Sequence, residues 1–453
     1  MTSLVENGEQ RQRNRQRSYH LPPAASNRGT TIARLSAPPT SPPDEEAAPR
    51  YRPLPRAARK GIGLCLSGGG FRATLFHLGA LRRLNELCVL TREDFRTVSA
   101  VSGGSMAAAR LATALTRVPV TPGRPIAPPA WEAEVQAPLR AFTKRDQRTA
   151  PFLERFLPWN LWKPDTTVKA LVARYERDLT RLRLEALPAR PDVLFLATDM
   201  AYGVAWVFSR EWIGDYQVGY MAPPPDLALA VAVAASACFP PLLGPLRLHL
   251  DPAALKGGSA PRDRTREDVL ADFRLTDGGL YDNMGLEPVW KSHAVVLVSD
   301  AGGLFTAESD RGFLWRIPRY QEIQERQARA LRKRWLIGSF ADGVLDGAYW
   351  GVGGAPSQYE RGRSGYSKDL AREVIAEIRT DLDAFSDAEA AVLENHGYLL
   401  ADAALRRHVP SILPGPIPLA AAPHPDWLPP ARTEDQIRAA LAGSGRRRTW
   451  GRG

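Results

Sequence analysis

Between residues 60 and 405 the chain alternates short apolar runs with amphipathic ones. "GIGLCLS" precedes "FRATLFHLGALRRLNELC", and "FRTVSAV" precedes "SMAAARLATALTR". "DVLFLATDM" and "VAWVFSR" read as a strand pair, "DLALAVAVAASA" as a helix, "HAVVLVSDA" as a further strand and "KDLAREVIAEIRTDL" as a helix. Strands that are apolar along their whole length need cover on both faces, and intervening helices supply it. The pattern predicts a three-layer α/β/α fold with a mainly parallel central sheet.

Ligands of such sheets gather at the carboxyl ends of the strands. Three glycine-rich turns fall there: "SGGGFRA" (67–73), "SGGS" (102–105) and "TDGGL" (276–280). The middle one interrupts "TVSAVSGGSMAAARLA", where a β-prone run turns at once into a helix-prone one. A serine exposed on a sharp strand-to-helix turn needs small residues two before and two after it. Ser102 has Ala100 and Gly104 there, whereas Ser99 is flanked by Thr97 and Val101. Ser105 satisfies the spacing but falls in the first turn of the helix. The competing reading of Ser102 is a helix N-cap.

Gly68, Gly69 and Gly70 sit between a strand and a helix, where backbone N–H groups can face an oxyanion or a phosphate. "GGGFRA" also fits a dinucleotide fingerprint. That fingerprint requires an acidic residue at the end of the next strand, and here that strand ends in the serine turn. The oxyanion reading is preferred. Asp277, at the end of "FRLTD", is the candidate base for a serine, with Asp300 in "VLVSDAGG" as the competitor. Asp282 follows in the same loop and can bind backbone. Of the seven histidines none falls in a candidate active-site turn: His77 reads as a packed helix residue and His396 as a helix end capped by Gly397. A Ser-Asp dyad explains the set better than a triad.

The formal net charge is +11, and its location decides its meaning. Residues 1–60 carry 11 Lys and Arg against 5 Asp and Glu, and residues 410–453 carry 6 against 3, so the two ends hold nine of those charges. A basic groove across the folded part, and hence a nucleic-acid partner, is not expected. Residues 1–58 and 410–453 are Pro-rich and basic and read as loose tails around a catalytic domain at 59–409. Cys65, Cys88 and Cys238 form no CxxC pair and read as reduced thiols of a cytoplasmic protein. "MTSLVENGEQRQRNRQRS" has no apolar core, so no secretory signal is expected. The longest apolar run, 227–239, is too short to cross a bilayer. No metal-ligand cluster is visible, and neither metal nor cofactor is implied.

Taken together and in this order, "SGGGFRA", "AVSGGS" and "TDGG" resemble the patatin-like phospholipase family. "LATDMAYGVAWVFSR" and "AVAASACFPPLLGPL" extend the resemblance, which covers about residues 60–405. The resemblance implies a patatin-like fold with Ser102 as acyl-accepting nucleophile, Asp277 as its base and Gly68 to Gly70 as oxyanion donors. Arg72 stands where the family often has a basic residue, and the alternatives are loop support, neutralisation of a lipid phosphate, or solvation at a helix start. Two departures are Ala100 for the first Gly of GxSxG and Ala73 for the last Gly of the glycine loop; both are small. The implied substrate is a lipid or phospholipid ester, and peripheral contact with an anionic membrane is expected of the basic tails. The rival is a catalytically silent lipid-binding or scaffold protein on the same fold. Phe152, Phe156, Trp159 and Trp162 form either a lipid-facing lid or a self-packed segment. The basic run 319–337 reads as a helix whose Arg326, Arg329, Arg332 and Lys333 either face anionic headgroups or, the preferred reading, form a solvated charged face.

Overall fold

The computed structural model describes residues 58–160, 163, 165–240, 243–303 and 309–444. Residues 1–57, Trp162 and 445–453 lie outside them, and with them most of the N-terminal tail and the last basic run.

The first apolar run forms β1 (Ile62–Leu66), followed by helix α1 (Gly70–Glu86). β2 (Phe95–Val101) leads into α2 (Gly103–Leu115). After α3 (Thr166–Asp178) come β3 (Asp192–Asp199), β4 (Ala205–Phe208), β5 (Ile213–Asp215) and β6 (Gly219–Met221). Helix α4 (Leu229–Ala237), β7 (Leu246–Arg247), β8 (Arg274–Asp277) and β9 (Val295–Asp300) follow. The chain continues through α5 (Phe313–Ala341), β10 (Asp346–Gly351), α6 (Asp387–His408) and α7 (Glu434–Leu441).

The strands build one mixed sheet in the order β10-β9-β1-β2-β3-β4-β5-β6. β10, β9, β1, β2 and β3 are parallel, and β4 to β6 continue as an antiparallel meander. The expected three-layer α/β architecture with a mainly parallel sheet is what forms. Side chains alternate between its faces, as strand geometry requires. Leu64, Leu66 and Leu297 join the main core with residues of α1, α2, α4 and α6. Cys65, Val296 and Val298 point the other way, onto Met284, Leu286, Val289 and Leu336 of α5.

α6 runs on as one helix where a break at His396-Gly397 is expected, and it is buried from Glu389 to Leu405. Gly397 is therefore not a cap. A Cβ at Gly397 would run into the Phe76 carbonyl of α1, and one at Gly79 into the Glu394 carbonyl of α6. The two helices cross at reciprocal glycines, so their backbones approach closely. The charges that this burial encloses are paired: Arg83 with Asp402 at 2.7 Å and Arg140 with Glu394 at 2.6 Å.

Residues 410–444 are not the loose tail expected of them. Asn395 Nδ2 donates to the His424 carbonyl (2.7 Å), and the His424 N–H donates back to Asn395 Oδ1 (2.8 Å). Tyr366 donates to the Trp427 carbonyl and Arg83 to that of Pro418. α7 then buries Ile437 and Leu441. A proline-rich backbone lacks donors for a ladder, but its carbonyls still accept from side chains, and that is how this segment is held.

Gly397→Ala distinguishes the two roles of that glycine. Ala in a free helix interior would stabilise by up to about 1 kcal/mol. Against the α1 backbone it overpacks, and the expected net result is a loss of about 2 kcal/mol by urea unfolding.

Candidate active site

The site begins with strand register. On one edge β3 pairs with β4 over Phe195 to Thr198. On its other edge it pairs first with β2, ending at Val101↔Leu196, and then with β8, beginning at Asp277↔Ala197. β2 and β8 run in opposite directions, so their carboxyl ends meet head to head over adjacent residues of β3. Ser102 follows Val101 directly and therefore emerges beside Asp277.

Ser102 adopts φ 50° and ψ −116°, a left-handed conformation unusual for a residue with a side chain. Holding it costs about 1–3 kcal/mol, which surrounding contacts must offset. One such contact is the Ser102 N–H to Ser236 Oγ of α4, at 2.8 Å. The same hydroxyl meets Ser105 Oγ at 2.7 Å, and the Ser236 carbonyl accepts from the Gly278 N–H at 3.3 Å. Ser236 thus ties the serine turn to the aspartate turn. Ser105 is fully buried in the first turn of α2 and is occupied by that bond. Gly103 and Gly104 are packed so tightly that a side chain would strike the Gly70 and Leu66 carbonyls.

Asp277 is 3% exposed. Its Oδ1 accepts from the Gly279 N–H at 2.7 Å, and Thr198 Oγ1 donates to its carbonyl at 2.8 Å. Burial raises its carboxyl pKa to about 7; the hydrogen bonds from Gly279 and from the Ser102 side chain oppose that rise, and the charge of Glu325 on α5 adds to it. Asp300 stands two strands away at the end of β9. Its oxygens are taken by Tyr349 Oη (2.8 Å) and the Gly302 N–H (2.9 Å), and Arg329 beside it helps hold its carboxyl below the usual range. Asp282 accepts from the N–H groups of Met284, Leu286 and Glu287 and so shapes the loop.

Within the glycine loop the three N–H groups differ. The Gly68 N–H donates to the Asn283 carbonyl at 2.9 Å, so Gly68 is not free to serve an oxyanion. Among the described residues, Gly69 and Gly70 have no such partner for their N–H groups. Gly69 (φ 140°) and Gly70 (φ 55°) hold conformations that glycine accepts without strain. They start α1, whose first N–H groups are unsatisfied by the helix itself.

Arg72 is 2% exposed and is not a solvated helix-start residue. Its guanidinium donates to Ala301 (2.8 and 3.1 Å), Ala376 (2.7 Å) and Ile378 (2.8 Å) carbonyls. Each of its three nitrogens donates to backbone carbonyls, an arrangement that ties the loop to the segments at 301 and 376–378. His77 is buried between Ser299 Oγ (2.8 Å) and the Ser67 carbonyl (2.9 Å), and burial pushes its pKa down to about 4.

Two contributors escape a reading of the sequence. Ser236 lies in an apolar helix where a lone hydroxyl carries no signal, and Asn283 sits past the aspartate turn. The basic run also differs from expectation. Arg329 donates to the Gly303 carbonyl, Arg332 lies over the Tyr281 ring (5.1 Å) and Lys333 over the Tyr349 ring (4.3 Å), all directed at the domain. Phe313, Ile317, Tyr320 and Ile323 of α5 are exposed instead. Phe156 and Trp159 are exposed too, at 57% and 67%, so that segment does not bury its aromatics; Trp162 lies outside the described residues.

A mainly parallel sheet with a serine elbow facing a carboxyl, beside a glycine turn, is an architecture suited to acyl hydrolysis. The family model for patatin-like phospholipase matches residues 64–290, half of the chain. The chain belongs to the patatin-like phospholipase family, whose members are lipid acyl hydrolases. No curated protein sequence matches significantly. Among solved structures, VipD from Legionella pneumophila is 15% identical, with 78% of this chain and 68% of that one covered and a TM-score of 0.32. Human GIVD cytosolic phospholipase A2 is 14% identical, with 85% and 60% covered and a TM-score of 0.42. The chain thus spans about three fifths of the human protein's length. Among the described residues no helix is long and apolar enough to cross a membrane.

The raised carboxyl pKa of Asp277 has a consequence for stability. A group protonated more readily in the folded state stabilises at low pH, and that contribution fades between its unfolded pKa, near 4, and its folded value of about 7. Asp277→Asn removes the effect while keeping the Oδ1 acceptor. Its stability relative to the parent is expected to rise by up to about 1.4 kcal/mol per pH unit across that window and then level off. Parallel urea titrations at pH 4, 5.5, 7 and 8 measure it; a gap that does not change with pH would contradict the assigned environment.

Proposed function

We propose that the protein is a serine lipid acyl hydrolase of phospholipase A or lysophospholipase type. The observation that carries this reading is the head-to-head meeting of Ser102 and Asp277 beside the unpartnered N–H groups of Gly69 and Gly70. Ser102 Oγ attacks the ester carbonyl carbon and its proton passes to the Asp277 carboxylate. The carbonyl oxygen, now carrying the negative charge, is met by the Gly69 and Gly70 N–H groups and the positive end of α1. Collapse breaks the bond to the alcohol, which leaves with the proton held on Asp277. Water then attacks the acyl-enzyme by the same route; Asp277 takes its proton and passes it to Ser102 Oγ as the bond to the acyl group breaks, which releases the fatty acid and restores the dyad. The substrate is a lipid ester, and the catalytic unit runs from about residue 59 to at least 444.

Peripheral contact with a membrane is part of the proposal. The exposed stripe Phe313, Ile317, Tyr320 and Ile323 on α5, with Leu280 three residues beyond Asp277, supports an apolar approach to a lipid surface.

A fluorophosphonate probe should label the parent protein and not Ser102→Ala. Asp277→Asn should fall with Ser102→Ala to a similar residual ester hydrolysis, because dyad members act as a unit. Asp300→Asn should be much milder, since Asp300 faces Tyr349. An unlabelled but folded parent would instead indicate a catalytically silent lipid-binding protein.

The base must be ionised to accept a proton. With its pKa raised to about 7, kcat/KM for a soluble ester should rise with pH to a plateau above about 7 and fall about tenfold per unit below it. A plateau reaching down to pH 5 would remove Asp277 from the role.

A further inference from the structure

Arg72 is fully committed to backbone carbonyls, so the charge of a phospholipid substrate has to be met by another group. From the geometry around α5 we infer that Arg326 is the recognition residue for the phosphodiester of the headgroup. This rests on the hydrolase reading above and narrows its substrate class to glycerophospholipids.

Three observations carry it. Arg326 is 18% exposed, yet its Nε and Nη1 lie out of solvent and have no hydrogen-bond partner among the described residues. Its Nη2 is 3.6 Å from Glu322 Oε1, a loose contact, and that carboxylate already accepts from Arg319 at 2.8 Å. Buried guanidinium donors are nearly always satisfied, so a planar donor edge left open calls for an anion. Second, Arg326 stands over Gly303. A Cβ there would come within 2.8 Å of Nη2 and 3.3 Å of Nη1, so glycine leaves the guanidinium its place. Third, Gly303 continues a short bridge to the dyad. A Cβ at Gly302 would lie 2.7 Å from Asn283 Nδ2, and one at Gly279 would lie 2.6 Å from Asn283 Oδ1 and 2.9 Å from Asp277 Oδ1. Asn283 therefore packs between the Gly302–Gly303 turn under Arg326 and the Gly279 turn beside Asp277.

The electrostatics agree. Arg326, Arg329 and Arg72 crowd one another, and burial and the Arg329 charge both work against the Arg326 cation. The neighbouring carboxylates Glu325, Glu322 and Asp300 only partly compensate. An arriving phosphodiester would relieve this crowding. A planar fork suits two phosphate oxygens better than an ammonium would.

The test is binding to the full chain carrying Ser102→Ala, which separates recognition from turnover. The probes are dihexanoyl phosphatidylcholine below its micelle concentration, dihexanoylglycerol and inorganic phosphate. The expected result is about tenfold tighter binding of the phospholipid than of the diglyceride, with inorganic phosphate weaker than either. Adding Arg326→Gln should reduce the preference to about twofold or less, and Arg326→Lys should retain part of it. Equal binding of phospholipid and diglyceride overturns the inference without any mutation at 326, so misfolding of Arg326→Gln cannot shelter it. So does an undiminished preference in an Arg326→Gln protein with the parent's melting temperature. Inorganic phosphate bound as tightly as the phospholipid, and lost with Arg326→Gln, would make this a free-phosphate site and also overturn the headgroup assignment. The two readings fail separately. Phospholipid preference in Ser102→Ala with no hydrolysis of either ester by the parent protein refutes the hydrolase; hydrolysis of both by the parent with no binding preference in Ser102→Ala refutes the headgroup site.

Discussion

β3 is the ruler of this molecule. It holds two strands end to end on one edge, β2 up to Leu196 and β8 from Ala197 onward. The strands arrive from opposite directions, so the residue after one and the last residue of the other must face each other. A shift of one residue in either ladder would turn every side chain to the other face and part Ser102 from Asp277. The surrounding contacts secure this arrangement. Ser236 bonds both turns, Thr198 of β3 holds the Asp277 carbonyl, and the glycines beside Ser102 allow α1 and α2 to close on the turn.

That arrangement has an electrostatic side. Asp277 is enclosed, and burial is the main reason its carboxyl resists ionisation. A carboxyl titrating near neutrality is a far better proton acceptor than an ordinary surface carboxylate, while still being ionised in an appreciable fraction of molecules. Asp300 shows the opposite environment only two strands away. Tyr349, Arg329 and Lys333 favour its charged form, and it is correspondingly a poor base. Local sequence is nearly the same in "LTDGG" and "VSDAGG", so the difference comes entirely from what the fold brings to each aspartate.

Much of this was legible in the sequence because it is local. The strand-turn-helix at 97–112, the order of the three glycine turns and the small residues around Ser102 all act within a few residues of one another. Ala100 replaces a glycine without loss of the turn, since its methyl is accommodated in the core at 0% exposure. What could not be read is non-local. Whether Gly68 or Gly69 offers a free N–H depends on Asn283, over 200 residues away. The role of Arg72 stayed open between loop support, phosphate contact and solvation because its acceptors at 301, 376 and 378 are not sequence neighbours. The basic face of α5 looked solvated because composition cannot tell which side of a helix meets the domain. The segment 410–444 looked loose because proline-rich chain is usually unheld, and here side chains of α1, α6 and Tyr366 hold it through its carbonyls.

The last step concerns where the oxyanion turn gets its rigidity. The family match ends at residue 290, and all three glycine-rich turns lie inside it. The clamp on the glycine loop lies outside. The Phe71 N–H donates to the Asp381 carbonyl, Arg72 binds carbonyls at 301, 376 and 378, and α1 is pinned along its length by α6. α6 is in turn fastened by the following segment through His424 and Pro418. N–H groups stabilise a developing oxyanion only if they need not reorganise to reach it, so the role proposed for Gly69 and Gly70 would depend on these distant anchors. The glycine loop and much of what holds it still are thus encoded far apart in the chain, on either side of the end of the family match. For that reason a recognisable set of motifs is necessary here but does not by itself make a site.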